Sequence, residues 1–179
     1  MHQDIDRILI TQEQLQEKVS EMGKQLAAEY HRHTPIFVGA LNGSAIFMAD
    51  LTRACPIPLA LDFMAVSSYG SATRSSGVVR ILKDLDRNIE DRHVLIVEDI
   101  VDTGLTLSYL IDHLSARHPA SIKVCALLDK HERRTTDVRL DYVGFPIPDE
   151  FVVGYGLDYN DLYRNLPYIG VLKPHLYAG

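Results

Sequence analysis

The 179-residue sequence contains no tryptophan and only two cysteines, Cys55 and Cys125. These lie far apart, outside any Cys-x-x-Cys spacing, which excludes a disulfide scaffold and a cysteine-based zinc site. The eight histidines are scattered without ligand spacing. No apolar run approaches the ~18–20 residues that a membrane-crossing helix needs, so no membrane partner is expected. Positive charge is scarce too: 18 Lys and Arg stand against 24 Asp and Glu, giving a net charge of −6. A general nucleic-acid binder normally carries a basic face, so nucleic acid is not an expected partner. Neither Gly-x-x-x-x-Gly-Lys-Ser/Thr nor Gly-x-Gly-x-x-Gly occurs, which removes the P-loop and the dinucleotide fingerprint. The opening residues Met1 to Arg7 lack the charged-then-apolar pattern of a secretory leader, and the expected compartment is the cytoplasm.

Hydrophobic residues make up 46% of the chain, too many for a disordered protein and enough for the core of one ordinary domain. No internal repeat and no Pro- or Gly-rich linker divides it. Residues 11–30 read as an amphipathic helix: Thr11 and Gln14 form a capping-box pattern, and Leu15, Val19, Met22, Leu26 and Tyr30 return at helical spacing. A short apolar run over 35–41 predicts a strand that ends in the turn-like Asn42-Gly43-Ser44, with a helix to about Arg53. Residues 59–66 predict another strand. Residues 67–79 hold five serines, Thr73, Gly70 and Gly77, a composition that predicts a mobile loop and, in a compact domain, an active-site lid.

The clearest unit spans 93–128. Val94-Leu95-Ile96-Val97 is a continuous apolar run, as for a strand buried on both faces of a parallel sheet. Leu107, Leu110, Ile111 and Leu114 then recur at helical period, and 122–128 is a second strand. Strand, helix and strand in this order form a right-handed βαβ unit and place the chain in the α/β class, with a central parallel sheet. Further strands are expected over 140–145, 151–154 and 168–172.

Between the first strand of that unit and its helix lies Glu98-Asp99-Ile100-Val101-Asp102-Thr103-Gly104-Leu105-Thr106. Ligands of parallel sheets bind beyond the carboxyl ends of the strands, where this loop must lie. Three carboxylates so close repel one another, and an ordinary turn would not choose them. Thr103, Gly104 and Thr106 open the helix, where free N–H groups, the helix dipole and two hydroxyls suit phosphate. A ligand with phosphate at one end and hydroxyls, a metal or an acidic N–H at the other satisfies both halves. Asp-Thr-Gly also occurs in aspartic proteases, but here it follows a parallel-type strand and opens a helix.

Residues 94–106 resemble the phosphoribosyl pyrophosphate motif of type I phosphoribosyltransferases: two acidic residues followed by an Asp-Thr-Gly turn. Leu41-Asn42-Gly43-Ser44, Ser68-Tyr69-Gly70, Leu128-Asp129-Lys130 and the block from Phe151 to Asn160 resemble the hypoxanthine-guanine phosphoribosyltransferases, in the family's order. The resemblance implies one type I phosphoribosyltransferase domain over 1–179, with a hood built from both ends of the chain. It implies a purine-salvage reaction in which a 6-oxopurine and phosphoribosyl pyrophosphate give the nucleoside monophosphate and pyrophosphate. It further implies a Mg²⁺ cofactor and a homodimer or homotetramer.

The residue roles it implies follow the motifs. Glu98 and Asp99 hold the ribose hydroxyls and reach a metal, and Asp158 helps to bind a second one. Asp102 is the proton acceptor at N7, and the Asp102, Thr103, Gly104 and Thr106 segment holds the 5-phosphate. Lys130 donates to the 6-oxygen, Phe151 stacks on the purine, and the backbone at Val152 meets its edge. Asn42, Gly43 and Arg164 contact pyrophosphate, while Ser68 and Tyr69 close as a lid. Two positions depart from common relatives: Asn42 and Leu105 stand where a lysine is frequent, reducing positive charge. A regulatory RNA-binding protein of the same fold is the alternative. Its best support is Lys130, Arg133, Arg134 and Arg139, interleaved with Asp129, Glu132 and Asp137. Preference among hypoxanthine, guanine and xanthine is not fixed by these motifs.

Overall fold

The computed structural model describes residues 1–69 and 78–177. Its centre is a six-stranded sheet in the order β4-β3-β2-β5-β6-β7. The strands are β2 (Ile36–Leu41), β3 (Ala60–Tyr69), β4 (Val78–Lys83), β5 (His93–Val101), β6 (Ser121–Asp129) and β7 (Tyr142–Pro146). All neighbours pair in parallel except β3 and β4. The apolar run of β5 occupies the middle of the sheet, and Val94, Leu95, Ile96 and Val97 are each at most 1% exposed. Burial on both faces is what such a run requires.

Helices cover both faces. On one side lie α1 (Gln12–Glu29) and α2 (Ala45–Ala54), with Leu15, Met22, Leu26, Phe47 and Leu51 packing on Phe37, Leu95 and Leu127. On the other lies α3 (Leu105–Ser115), whose Leu107, Leu110 and Leu114 meet Ile36, Ile96 and Val124. The capping box expected at Thr11 is formed in both directions, Gln14 N–H to Thr11 Oγ1 and Thr11 N–H to Gln14 Oε1. Cys55 and Cys125 are buried free thiols.

A second, three-stranded sheet joins the two ends of the described chain: β1 (Ile5–Ile10), β9 (Ile169–Leu172) and β8 (Val152–Val153), in the order β1-β9-β8. Its strands are antiparallel. It stands beside the carboxyl end of the central sheet, as the contacts between 156–164 and the β2 turn described below require.

The structure adds two strands that the sequence reading did not expect, β1 and β4, and it differs at the serine-rich stretch. Residues 67–69 and 78–79, serine-rich or adjoining that stretch and expected as loop, are strand: Ser67, Ser68 and Tyr69 pair with Arg80, Val79 and Val78. Serine's weak strand propensity yields here to main-chain pairing at the edge of the sheet. The rest of the expected lid, residues 70–77, and the Ser68 and Tyr69 side chains lie outside the described residues.

Candidate active site

Segments at the carboxyl ends of β2, β5 and β6, together with residues 151–164 from the smaller sheet, carry the candidate residues. The β5–α3 junction is the centre. Gly104 caps α3 in the left-handed conformation, with φ of 87°, which a residue with a side chain adopts only at a cost. The cap residue itself has no side chain; the Leu105 N–H donates to Thr103 Oγ1 at 3.4 Å, and the next N–H groups, of Thr106 and Leu107, remain available to a ligand. Glu98, Val101, Asp102, Thr103, Gly104 and Thr106 line one cavity of about 180 Å³ at this point. The helix start and an acidic wall thus share one space. A larger cavity of about 640 Å³ lies between α3, β6 and residues 137–141. It contains none of the motif residues and no converging set of catalytic groups.

Glu98 is 7% exposed, and no hydrogen bond among the described residues reaches its carboxylate. Burial, reinforced by the charge of Asp99, holds its pKa well above the ordinary 4.5. Burial likewise raises Asp99 from 3.8 to about 6, opposed by the Ile100 N–H and Arg164 and assisted by Asp158. Burial is the larger cause at both residues, and the charge of Asp99 adds to it at Glu98.

The β2 turn carries Asn42 and Gly43 against this pair. A Cβ added at Gly43 would overlap the Asp99 carboxylate, and one added at Gly156 (φ 103°) would overlap the Gly43 carbonyl oxygen. Glycine at both positions lets three chain segments close on one another. Arg164 supplies the edge: it donates to the Gly156 carbonyl at 2.7 Å and lies 3.0 Å from Asp158 and 3.5 Å from Asp161. Asp158 also accepts from the Asp161 N–H at 2.8 Å.

Lys130 follows β6 directly and is 8% exposed, far from an ordinary surface lysine. Its nearest anion is Asp149, 3.7 Å away, beyond hydrogen-bond reach. Among the described residues the ammonium makes no hydrogen bond. Phe151 stacks on Tyr177, with ring centroids 4.7 Å apart, and meets Tyr159 edge-on at 5.6 Å. Val152 is buried in β8.

Carboxylate oxygens are suitable ligands for a hard divalent cation. Among the described residues, however, no three His, Cys, Asp or Glu side chains converge as a metal cage. Glu98, Asp99 and Asp158 therefore do not form one preformed site. Magnesium, which is usually held by one or two carboxylates together with substrate oxygens and water, fits that arrangement.

Comparison with known proteins agrees with this geometry. The phosphoribosyl transferase domain family matches residues 9–160. The hypoxanthine-guanine phosphoribosyltransferase of Bacillus subtilis is 54% identical over 177 residues, covering 99% of this chain and 98% of that one. The chain belongs to the hypoxanthine-guanine phosphoribosyltransferase family. A hypoxanthine phosphoribosyltransferase of Staphylococcus aureus has the same fold, with a TM-score of 0.96 at 50% identity over 100% of this chain and 97% of that one. The bifunctional TilS/HprT protein of Listeria innocua is 53% identical over 99% of this chain, which spans only 28% of that protein's length.

Within this phosphoribosyltransferase fold the basic cluster at 130–139 is neutralised. Lys130 and Arg133 face Asp149, Arg134 pairs with Asp129, and Arg139 lies 2.9 Å from Asp141. Sequence reading missed two contributors, Arg133 and Asp149. Arg133 Nε donates to Asp102 at 2.8 Å, and its Nη1 to Asp149 at 3.4 Å. Only the offset of Arg133 from Lys130 was legible; the approach of Asp149 depends on the β7–β8 connection. Among the described residues no helix is long and apolar enough to cross a membrane.

Proposed function

We propose that this chain transfers the 5-phosphoribosyl group of phosphoribosyl pyrophosphate to a 6-oxopurine, hypoxanthine or guanine, giving IMP or GMP and pyrophosphate in purine salvage. The observation that carries the reading is the β5–α3 junction, where an open helix start and an acidic wall line the same cavity. The chain's likeness to the hypoxanthine-guanine phosphoribosyltransferase of Bacillus subtilis supports it.

The α3 N–H groups, with Thr103 and Thr106, receive the 5-phosphate. Glu98 and Asp99 accept from the ribose hydroxyls. Lys130 bonds the 6-oxygen; adenine presents an amino group there and cannot accept. Phe151 packs on the purine ring and the Val152 backbone meets its edge. Asp102 takes the N7 proton while the N9 lone pair attacks C1. The C1–O bond breaks and its electrons depart with pyrophosphate, which Arg164 and the Asn42–Gly43 backbone receive. Proton transfer by a placed group is worth ~10²–10⁴ in rate. Mg²⁺, held by Asp158 and the Glu98–Asp99 pair together with substrate oxygens, would neutralise charge on the departing pyrophosphate. The working form is a cytoplasmic homodimer or homotetramer.

The deciding assay supplies phosphoribosyl pyrophosphate and Mg²⁺ with hypoxanthine, guanine, xanthine or adenine and compares kcat/KM. Turnover of hypoxanthine or guanine at least about a hundredfold above adenine is expected. Equal turnover of adenine, or none of any purine, overturns the reading. The alternative as an RNA-binding regulator has little support, since each basic residue of its candidate patch faces a carboxylate.

A further inference from the structure

A run of four alternating charges crosses this site. The Asp102 carboxylate meets Arg133 Nε at 2.8 Å, Arg133 Nη1 meets Asp149 at 3.4 Å, and Asp149 meets Lys130 Nζ at 3.7 Å. We propose that Arg133 is a positioning residue: its guanidinium ties the proton-accepting Asp102 to Asp149, and through it to the purine-selecting Lys130. The inference rests on the reading of Asp102 and Lys130 above.

Asp102 needs such help. Its side chain is 44% exposed, and Arg133 is the one hydrogen-bond partner of its carboxylate among the described residues. A free carboxylate on a loop samples several rotamers, whereas a general base must stand within hydrogen-bond reach of one proton. Arg133 engages Oδ1 and leaves Oδ2 for a ligand.

The platform beneath Arg133 is itself fixed. The Arg133 N–H donates to the Lys130 carbonyl at 3.0 Å. Arg134 pairs with Asp129 and donates to the Asp102 carbonyl at 3.2 Å. The N–H groups of Thr135 and Thr136 both donate to the Thr103 carbonyl, at 3.0 and 3.1 Å. The segment thus grips the phosphate-binding loop from outside and holds Arg133 over Asp102.

Chemistry explains why arginine stands here. A planar guanidinium sends N–H bonds from different nitrogens toward two carboxylates at once, while a lysine ammonium on a flexible stem holds no such fixed angle. Both carboxylates reinforce the charge on Arg133 and raise its pKa. The substrate asks for the same spacing. On a 6-oxopurine the O6 acceptor and the N7 proton lie side by side, so the distance between Lys130 and Asp102 must suit both bonds together. Arg133 and Asp149 set that distance.

The test is steady-state kinetics for both substrates in wild type, Arg133→Ala, Arg133→Lys, Asp102→Asn and the Arg133→Ala/Asp102→Asn double variant. Unfolding temperature serves as the control, since exposed ion pairs add little to stability. Arg133→Ala should lower kcat/KM for hypoxanthine by about ten- to a hundredfold, the scale of a small misplacement of a reacting group. The KM for phosphoribosyl pyrophosphate should stay unchanged. Arg133→Lys should recover part of the loss, and it also replaces Arg133→Ala if that variant does not fold. In the Asp102→Asn background, Arg133→Ala should cost less than about twofold more, because residues that act as a unit are not additive. Full hypoxanthine turnover in Arg133→Ala, a rise in the KM for phosphoribosyl pyrophosphate as large as the loss in kcat/KM for hypoxanthine, or multiplying losses in the double variant overturn the proposal. Wild-type turnover in Asp102→Asn instead removes the reading of Asp102, and the role of Arg133 with it.

Discussion

Arg164 lies 3.0 Å from Asp158, so the residue assigned to pyrophosphate and one assigned to a cation are each other's counter-ion. Both are about 30% exposed, at 28% and 31%. Pairs of this exposure contribute modestly to folding, and the arrangement is better understood as a ligand site closed on itself. Arg164→Gln leaves Asp158 beside Asp99 without its compensating charge. The KM for phosphoribosyl pyrophosphate should rise by about tenfold or more, a change of ~1.4 kcal/mol, while the KM for hypoxanthine changes little. Equal changes in both constants would count against this division of labour.

Asp102→Ala should slow nucleotide formation by ~10²–10⁴. The fold should survive, because the side chain is 44% exposed and belongs to no apolar cluster. Matching circular dichroism spectra with near wild-type turnover would contradict its assignment as proton acceptor.

Binding of phosphoribosyl pyrophosphate should depend strongly on magnesium. Glu98, Asp99 and Asp102 lie at or just beyond the carboxyl end of β5 with no lysine or arginine between them, and Glu98 and Asp102 line the cavity at the start of α3. An acidic wall accepts a polyphosphate when a cation accompanies it or when backbone donors face the phosphate. Titration calorimetry should show affinity falling at least about tenfold when the metal is chelated. Equally tight binding in chelator would oppose the account.

Asp99→Asn should stabilise the ligand-free protein while impairing catalysis. The folded pKa of Asp99 is raised from 3.8 to about 6. Between these values the folded state keeps a proton that the unfolded chain has released. The penalty therefore grows as pH rises through that window and is complete above it. Differential scanning calorimetry should find the variant a few degrees more stable at pH 8, at roughly 2–4 °C per kcal/mol. Near pH 4 the difference should largely vanish. A variant less stable than wild type at pH 8 would refute this.

The parts legible in sequence were those whose signal is local. The periodicity of α1 and the Thr11–Gln14 box lie within a few residues, and both appear as expected. The run 94–97 pointed to a central strand because a strand buried on both faces reads as a continuous apolar run, and the helix and second strand that follow complete a βαβ unit. By contrast, Ile5–Ile10 becomes a strand through pairing with Ile169–Leu172, a partner more than a hundred residues away. The serines at 67 and 68 are strand for a similar reason, their edge pairing with β4. At the site, glycines and carboxylates announced themselves by type and order. Arg133 and Asp149 did not, since an Asp and an Arg on separate connections look like any surface pair until the fold brings them together.

The joint between the two sheets has a mechanical consequence. Gly156 meets Gly43 main chain to main chain, and Gly43 abuts Asp99. Side chains at a junction absorb small displacements by shifting rotamer, whereas two touching backbones have no such slack. The turn that carries Arg164 is tied to Gly156 on both sides, through the Gly156 N–H to the Arg164 carbonyl and the Arg164 guanidinium to the Gly156 carbonyl. Gly156 and Gly43 thus leave no room between the Arg164 turn and the β2 turn, and a side chain at either glycine would push apart the two ends of the cleft that close on Asp99.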